Sequence, residues 1–267
     1  MSIAQSWTHR AARTGRLPLE WAAGWGRIVW LGAILAVIAL SPSSWTPRAR
    51  LALQRHAYTD TVPILAGFTL LCALLTVVIT RIVVVTADSY GLSQYALEMI
   101  VRVLVLELIP LTAALFVALR CTIPNGAALA QMRRRGQFER LRAAGIDPVG
   151  TEAMPRMLAG VFATITLAAL SSAVAIAIAY LAVYGFTLAG LPAYTRMFGH
   201  VFNGTVSLIF VLKTLMLSLA VSVIPMASGL MDWRGGGSRE SAALRGLVRM
   251  FSVLLLLEVL SLVGNYY

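Results

Sequence analysis

Apolar positions in this chain run in long unbroken stretches. They do not alternate as in half-buried strands, nor stripe as in surface helices. Five runs, Thr61–Ala87, Glu98–Arg120, Ala153–Tyr184, Thr205–Leu230 and Leu247–Gly264, each suit a bilayer core of about 30 Å, which takes roughly 20 helical residues to cross. A sixth run, Ile28–Ser41, has 14 residues and reaches only about 21 Å as a helix. The pattern predicts an all-α integral membrane protein with five transmembrane helices, preceded by an N-terminal segment of another kind.

The polar positions between the runs decide how that segment is placed. Of the 22 basic residues, 21 are arginine and Lys213 is the single lysine. Cytoplasmic loops of membrane proteins are enriched in Lys and Arg. If both flanks of Ile28–Ser41 face the cytoplasm, eighteen arginines lie inside, including Arg10, Arg13, Arg16, Arg234 and Arg239. Only Arg81, Arg102 and Arg196 then lie toward the outside. Residues 1–55 thus read as interfacial and elbow helices in the inner leaflet, with Trp7, Trp21, Trp25, Trp30 and Trp45 as headgroup-level anchors. A sixth span or an uncleaved signal anchor is the alternative. The expected topology is N-terminus inside, five spans, C-terminus outside.

Composition sharpens this picture. The chain is 59% apolar and 12% charged, against roughly 45–50% and 25% in soluble domains, and its mean hydropathy is +0.81. The net charge of +11 would suggest nucleic acid in a soluble protein. Here it follows membrane topology, so no nucleic-acid partner is expected. Cys72 and Cys121 lie in or beside apolar runs and imply no disulfide framework.

Three ionisable residues sit inside runs: Glu107, Lys213 and Glu258. Such residues are costly in hydrocarbon and generally face the bundle interior and pair. Counted from the outer ends of their runs, they fall within roughly 5 Å of one depth. A single buried cluster is therefore expected, either as a structural salt bridge or as the polar lining of a substrate cavity. Glu98 and Arg102, spaced i,i+4, can pair on one helix face nearby. No Walker loop is present, since Lys213 follows Leu212 rather than a glycine, and Gly235–Gly236–Gly237 follows no strand. His9, His56 and His200 lack metal-ligand spacing. A Ser-Lys pair of Lys213 with Ser207 or Ser218 is conceivable, though serines in spans more often pack helices. Ala168 with Ser172, and Ala175 with Ala179, permit close helix contact. Asn203-Gly204-Thr205 matches a glycosylation sequon only by pattern.

The segment from Ile123 to Glu152 is the one sizeable cytoplasmic connection. It predicts a helix over about 133–145, with Gly145 as its cap and Asp147-Pro148 as the break. Gln137, Phe138 and Leu141 form a partly apolar face between arginines. That face suits a docking partner, whereas retention by anionic lipid needs only the arginines.

The order of these residues resembles the MlaE/YrbE family of ABC-transporter permeases. That family has Glu-Leu-Gly-Pro in its second span, then an arginine, Met-Arg, Asp-Pro and Pro-Arg. This chain has Glu107-Leu108-Ile109-Pro110, Arg120, Met132-Arg133, Asp147-Pro148 and Pro155-Arg156. Lys213 and Glu258 match a lysine in the fourth span and an acid in the last. Leu106, Ile109, Ala128 and Gly136 stand where the family pattern has arginine, glycine, glutamate and glutamate. The resemblance implies an elbow region over 1–55 and a permease domain over 56–267 in a bacterial inner membrane. It implies a cytoplasmic ATPase dimer that holds ATP and Mg, a periplasmic ring of MCE-domain subunits, and a second permease subunit, identical or not. The cargo would be phospholipid or a related lipid. Arg133, Arg134, Gln137, Phe138, Leu141 and Arg142 would then couple to the ATPase, and Glu107, Lys213, Glu258, Glu98 and Arg102 would line the lipid cavity. This chain itself would bind no cofactor and catalyse no reaction. The alternative is a non-transporting scaffold, or a degenerate half of a heterodimer that anchors an MCE ring.

Overall fold

The computed structural model of the chain describes the backbone of residues 3–230 and 239–266, and the side chains of residues 22–230 and 244–265. The expectations placed on Trp7, Trp21, His9, Arg10, Arg13, Arg16, Arg234, Arg239 and the three-glycine run lie outside the described side chains.

The described residues form helices without strands. α1 is Ile3–Leu40, followed by a 3-10 turn at Pro42–Ser44, and α2 is Pro47–Ser89. α3 follows one helical path over Ser93–Arg134. α4 is Gln137–Ala143, and α5 covers Val149–Tyr184. α6 is Leu191–Val201, α7 is Gly204–Leu230 and α8 is Arg239–Tyr266. Six segments are long and apolar enough to cross a membrane, the first being Ala22–Leu40. The fold is that of an all-α membrane protein.

That first segment is longer than the 14-residue run because Ala22–Ile28 continues the helix through Arg27. Its contacts show how it lies. A Cβ built on Gly24 would meet the Arg249 guanidinium of α8 at 2.5 Å, one on Gly32 would meet Val223 of α7 at 3.3 Å, and Ile38 lies beside Gly150 at the start of α5. All three partners sit toward the arginine-rich ends of their helices. A helix that touches three neighbours in turn near the same end crosses them; a parallel span would follow one of them through its depth. α1 therefore lies across the arginine-rich end of the bundle, where Leu35 is fully buried among Leu217, Met250 and Leu254. The elbow itself ends at Thr46, whose hydroxyl accepts from Ala49 N–H at 3.2 Å just before Pro47. Past that cap α2 runs unbroken through residue 55 for 43 residues, about 64 Å at 1.5 Å per residue.

Prolines shape the remaining spans. Three π-helical stretches, Val101–Leu108, Ala118–Thr122 and Val149–Ala153, each end two residues before a proline: Pro110, Pro124 and Pro155. Proline has no N–H to give, and its ring crowds the carbonyl four residues back. A widened turn relieves that crowding. The carbonyl freed by Pro110 is Leu106 O, which accepts from Lys213 Nζ at 3.3 Å. The carbonyl freed by Pro225 inside α7 is Val221 O, which accepts from Thr122 Oγ1 at 2.6 Å. A side chain of one helix thus restores the bond that proline removes from another. Thr122→Val keeps the shape and removes the donor. It should cost about 1–3 kcal/mol, the usual penalty for a buried acceptor left unmade, read as a lowered unfolding midpoint in detergent. An unchanged midpoint would mean that Val221 O needs no partner.

The predicted helix over 133–145 is divided in the structure. α3 runs on to Arg134, Gly136 takes a left-handed φ of +66°, and α4 starts at Gln137. Gly136 supplies the αL conformation that a side chain disfavours. Gly145, at φ +72°, ends α4 as expected. Its N–H donates to Arg142 O and the Ile146 N–H to Leu141 O, the paired bonds of a Schellman cap. The Asp147 carboxylate then accepts from Val149 N–H at 3.1 Å and Gly150 N–H at 2.9 Å, capping the start of α5.

Candidate functional site

Three helices bring the expected polar residues together. α3 supplies Glu107 from its π-helical stretch, α7 supplies Lys213 and α8 supplies Glu258. Lys213 Nζ donates to Glu107 Oε2, to Glu258 Oε1 at 2.9 Å and to Leu106 O at 3.3 Å. An ammonium has three donors, so every one of them is engaged. Lys213 is 4% exposed and Glu107 7%. A fourth member, Asn265 of α8, donates from Nδ2 to Glu107 Oε1 at 3.1 Å. Neither Ser207 nor Ser218 is a partner of Lys213. Ser218 instead donates to Leu215 O at 2.7 Å, the ordinary behaviour of a span serine.

Glu98 and Arg102 form their i,i+4 pair at 2.9 Å, each side chain about a quarter exposed. They stand nine residues from Glu107 on the same helix, about 13 Å along its axis. The structure therefore keeps them apart from the Lys213 cluster.

At the other end of the bundle, Arg133, Arg134, Arg135, Arg140 and Arg142 are exposed. Phe138 departs from its expected place on a docking face. It is 6% exposed and packs in the chain's own core with Leu129 and Met154. Gly136 sets a new register for α4, which turns the ring inward, so Phe138 anchors α4. Gln137 and Leu141 are half-buried, and the outward surface of this region is made by arginines.

Several polar contacts had no signal in the sequence. Asp60 of α2 accepts from Asn125 Nδ2 at 2.8 Å and, through its carbonyl, from Cys121 Sγ at 3.2 Å. Arg156 pairs with Glu152 at 2.7 Å. Opposite the arginines, α6 carries an aromatic stack, with Tyr194 edge-on to Tyr180 at 5.1 Å and Phe198 stacked on Phe202 at 4.4 Å. Burial, with Tyr184 beside it, pushes the Tyr194 phenol up to about 12. It keeps its proton and donates to Ile176 O at 2.9 Å. Alternation of small and aromatic residues after Tyr184 resembles a loop, so an 11-residue helix there escapes the pattern.

The sequence model of the MlaE permease family matches residues 53–263. The chain belongs to the MlaE permease family. No curated protein matches it. As an MlaE permease, it is the membrane subunit of an ABC transporter, a multi-pass transport component rather than a catalyst. The match begins within α2, beyond the Thr46 cap, and ends in α8 short of Asn265.

Proposed function

We propose that this chain is the permease of a transporter that moves phospholipid or a related lipid between the inner and outer membranes of a bacterium. It would sit in the inner membrane with its N-terminus cytoplasmic. It would work with a second permease subunit, an ATPase dimer that holds ATP and Mg, and a ring of MCE-domain subunits. The observation that carries this reading is the Lys213 cluster: ionisable groups from three separate spans converge within the apolar region of a permease. A lipid headgroup entering from the outer leaflet would find its polar contacts there, and Leu and Val side chains would hold its tails. The exposed arginines on α3 and α4 would receive the ATPase through an acidic groove.

The test is capture of the complex from native membranes, followed by ATP-dependent transfer of a labelled phospholipid between vesicles. Capture without an ATPase would overturn the reading. Within that complex, Arg134→Glu with Arg142→Glu should weaken ATPase association at least tenfold (about 1.4 kcal/mol or more), with the permease itself still folded, because both side chains are exposed. Undiminished association would assign the arginines to lipid contact. A second reading, the non-transporting scaffold, draws on the break at Gly136, which shortens α4 to seven residues. In that case a complex would assemble and ATP would move no lipid.

A further inference from the structure

We propose that the Lys213 cluster is a proton-binding site, with one proton held between Glu258 and Glu107. The argument counts charges and hydrogen-bond donors and is independent of the cargo. Two carboxylates and one ammonium leave a net charge of −1 in a region that solvates charge poorly. All three donors of Lys213 are engaged, and the Asn265 amide already donates to Glu107. Both Glu107 oxygens are thereby satisfied. Glu258 Oε2 and Asn265 Oδ1 remain buried acceptors without a hydrogen-bond partner among the described residues. Acceptors cannot satisfy one another, and a buried polar atom left unpaired is costly.

A proton taken from bulk water answers both deficits. It brings the cluster to neutrality and converts one oxygen of the Glu258–Glu107 pair from acceptor to donor. The two carboxyl groups are near enough for their charges to repel, the arrangement in which carboxylates share a proton. No other charge reaches the pair. α7 presents Lys213, α3 presents Glu107, and α1 among its described side chains carries only Arg27, at the opposite end. On α8 itself the nearest described charge is Arg249, nine residues away, about 13 Å along the helix. Because the site is split between α3, α7 and α8, parting of α8 from α7 would admit water and let the proton leave. Proton uptake and release would then accompany opening and closing of the bundle.

Infrared spectroscopy of the full chain in lipid nanodiscs tests this. At pH 7 ordinary carboxyls are ionised, so a protonated-carboxyl carbonyl band that shifts in heavy water should appear in the wild type. Glu258→Gln should remove it. Glu107→Gln should remove it as well, since the remaining carboxylate and Lys213 then balance without a proton. Loss of the band in both variants supports the site. A band that survives either substitution overturns the shared proton. Absence of the band from the wild type overturns the proposal without reference to any variant, should one fail to fold.

Discussion

Lys213→Met should be among the most destabilising single substitutions in this chain, costing about 3–5 kcal/mol, the range for removing one partner of a buried ion pair. Three effects act together. Glu107 and Glu258 lose their common counter-charge. Leu106 O loses the donor that stands in for the N–H missing from Pro110. The junction of α3, α7 and α8 loses its central link. Thermal unfolding in detergent reads the effect as a large fall in midpoint. A shift equivalent to less than about 1 kcal/mol, as for an exposed pair, would mean that water already screens the cluster. The triple variant Lys213→Met, Glu107→Gln, Glu258→Gln separates stability from function. Neutral groups of similar volume often match a buried ionic network or exceed it, so the midpoint should largely recover. If the charges contact cargo, lipid transfer should stay lost in the recovered protein. Transfer restored along with stability would make the cluster purely structural.

The sequence makes this junction legible because charge in a span is rare enough to be informative residue by residue. Glu107, Lys213 and Glu258 can be compared for depth by counting helical residues, and the structure joins all three. Asn265 is hidden by its position at the end of the last run, where an amide beside tyrosines looks like ordinary interface chemistry. The family motif was readable through Glu107, Pro110, Asp147 and Pro155, because each of these residues has a mechanical effect on a helix: two prolines follow widened turns, and one aspartate caps. The contacts of the arginine-rich region were less legible. Its positive face is plain from composition, but the direction of Phe138 depends on where the helix phase restarts, and Gly136 restarts it one residue before α4. The short run Ile28–Ser41 gave the transverse placement of α1 for a partly different reason. The helix is longer than the run, and it lies across its neighbours because α5, α7 and α8 all offer it contacts at one end.

Gly229→Val should rival Lys213→Met in effect, through packing alone. At the crossing of α3 and α7 a Cβ on Gly229 would run into the Gly126 carbonyl, and one on Gly126 would lie 2.5 Å from the Pro225 carbonyl oxygen. Both obstacles are backbone, so neither can swing aside as a flexible side chain would. Small residues permit such close approach between membrane helices, and forcing extra methyl groups into packed space typically costs about 1–3 kcal/mol or more. The crossing also carries the Thr122 bond to Val221 O, so parting the helices loses that hydrogen bond as well. Gly229→Val and Gly126→Val should each sharply lower the folded yield and the unfolding midpoint. Gly67→Val is the matched control, because a Cβ there meets nothing within 4 Å. Its midpoint should stay within about 0.5 kcal/mol of wild type, as for ordinary surface changes. Equal losses at all three positions would indicate a general intolerance of β-branched residues in these helices and would remove the crossing from the account. A loss confined to Gly126 and Gly229 would identify the joint that fixes the Arg133–Arg134 end of α3 against the helix carrying Lys213. Force applied at the arginine surface would then reach the polar cluster through α7.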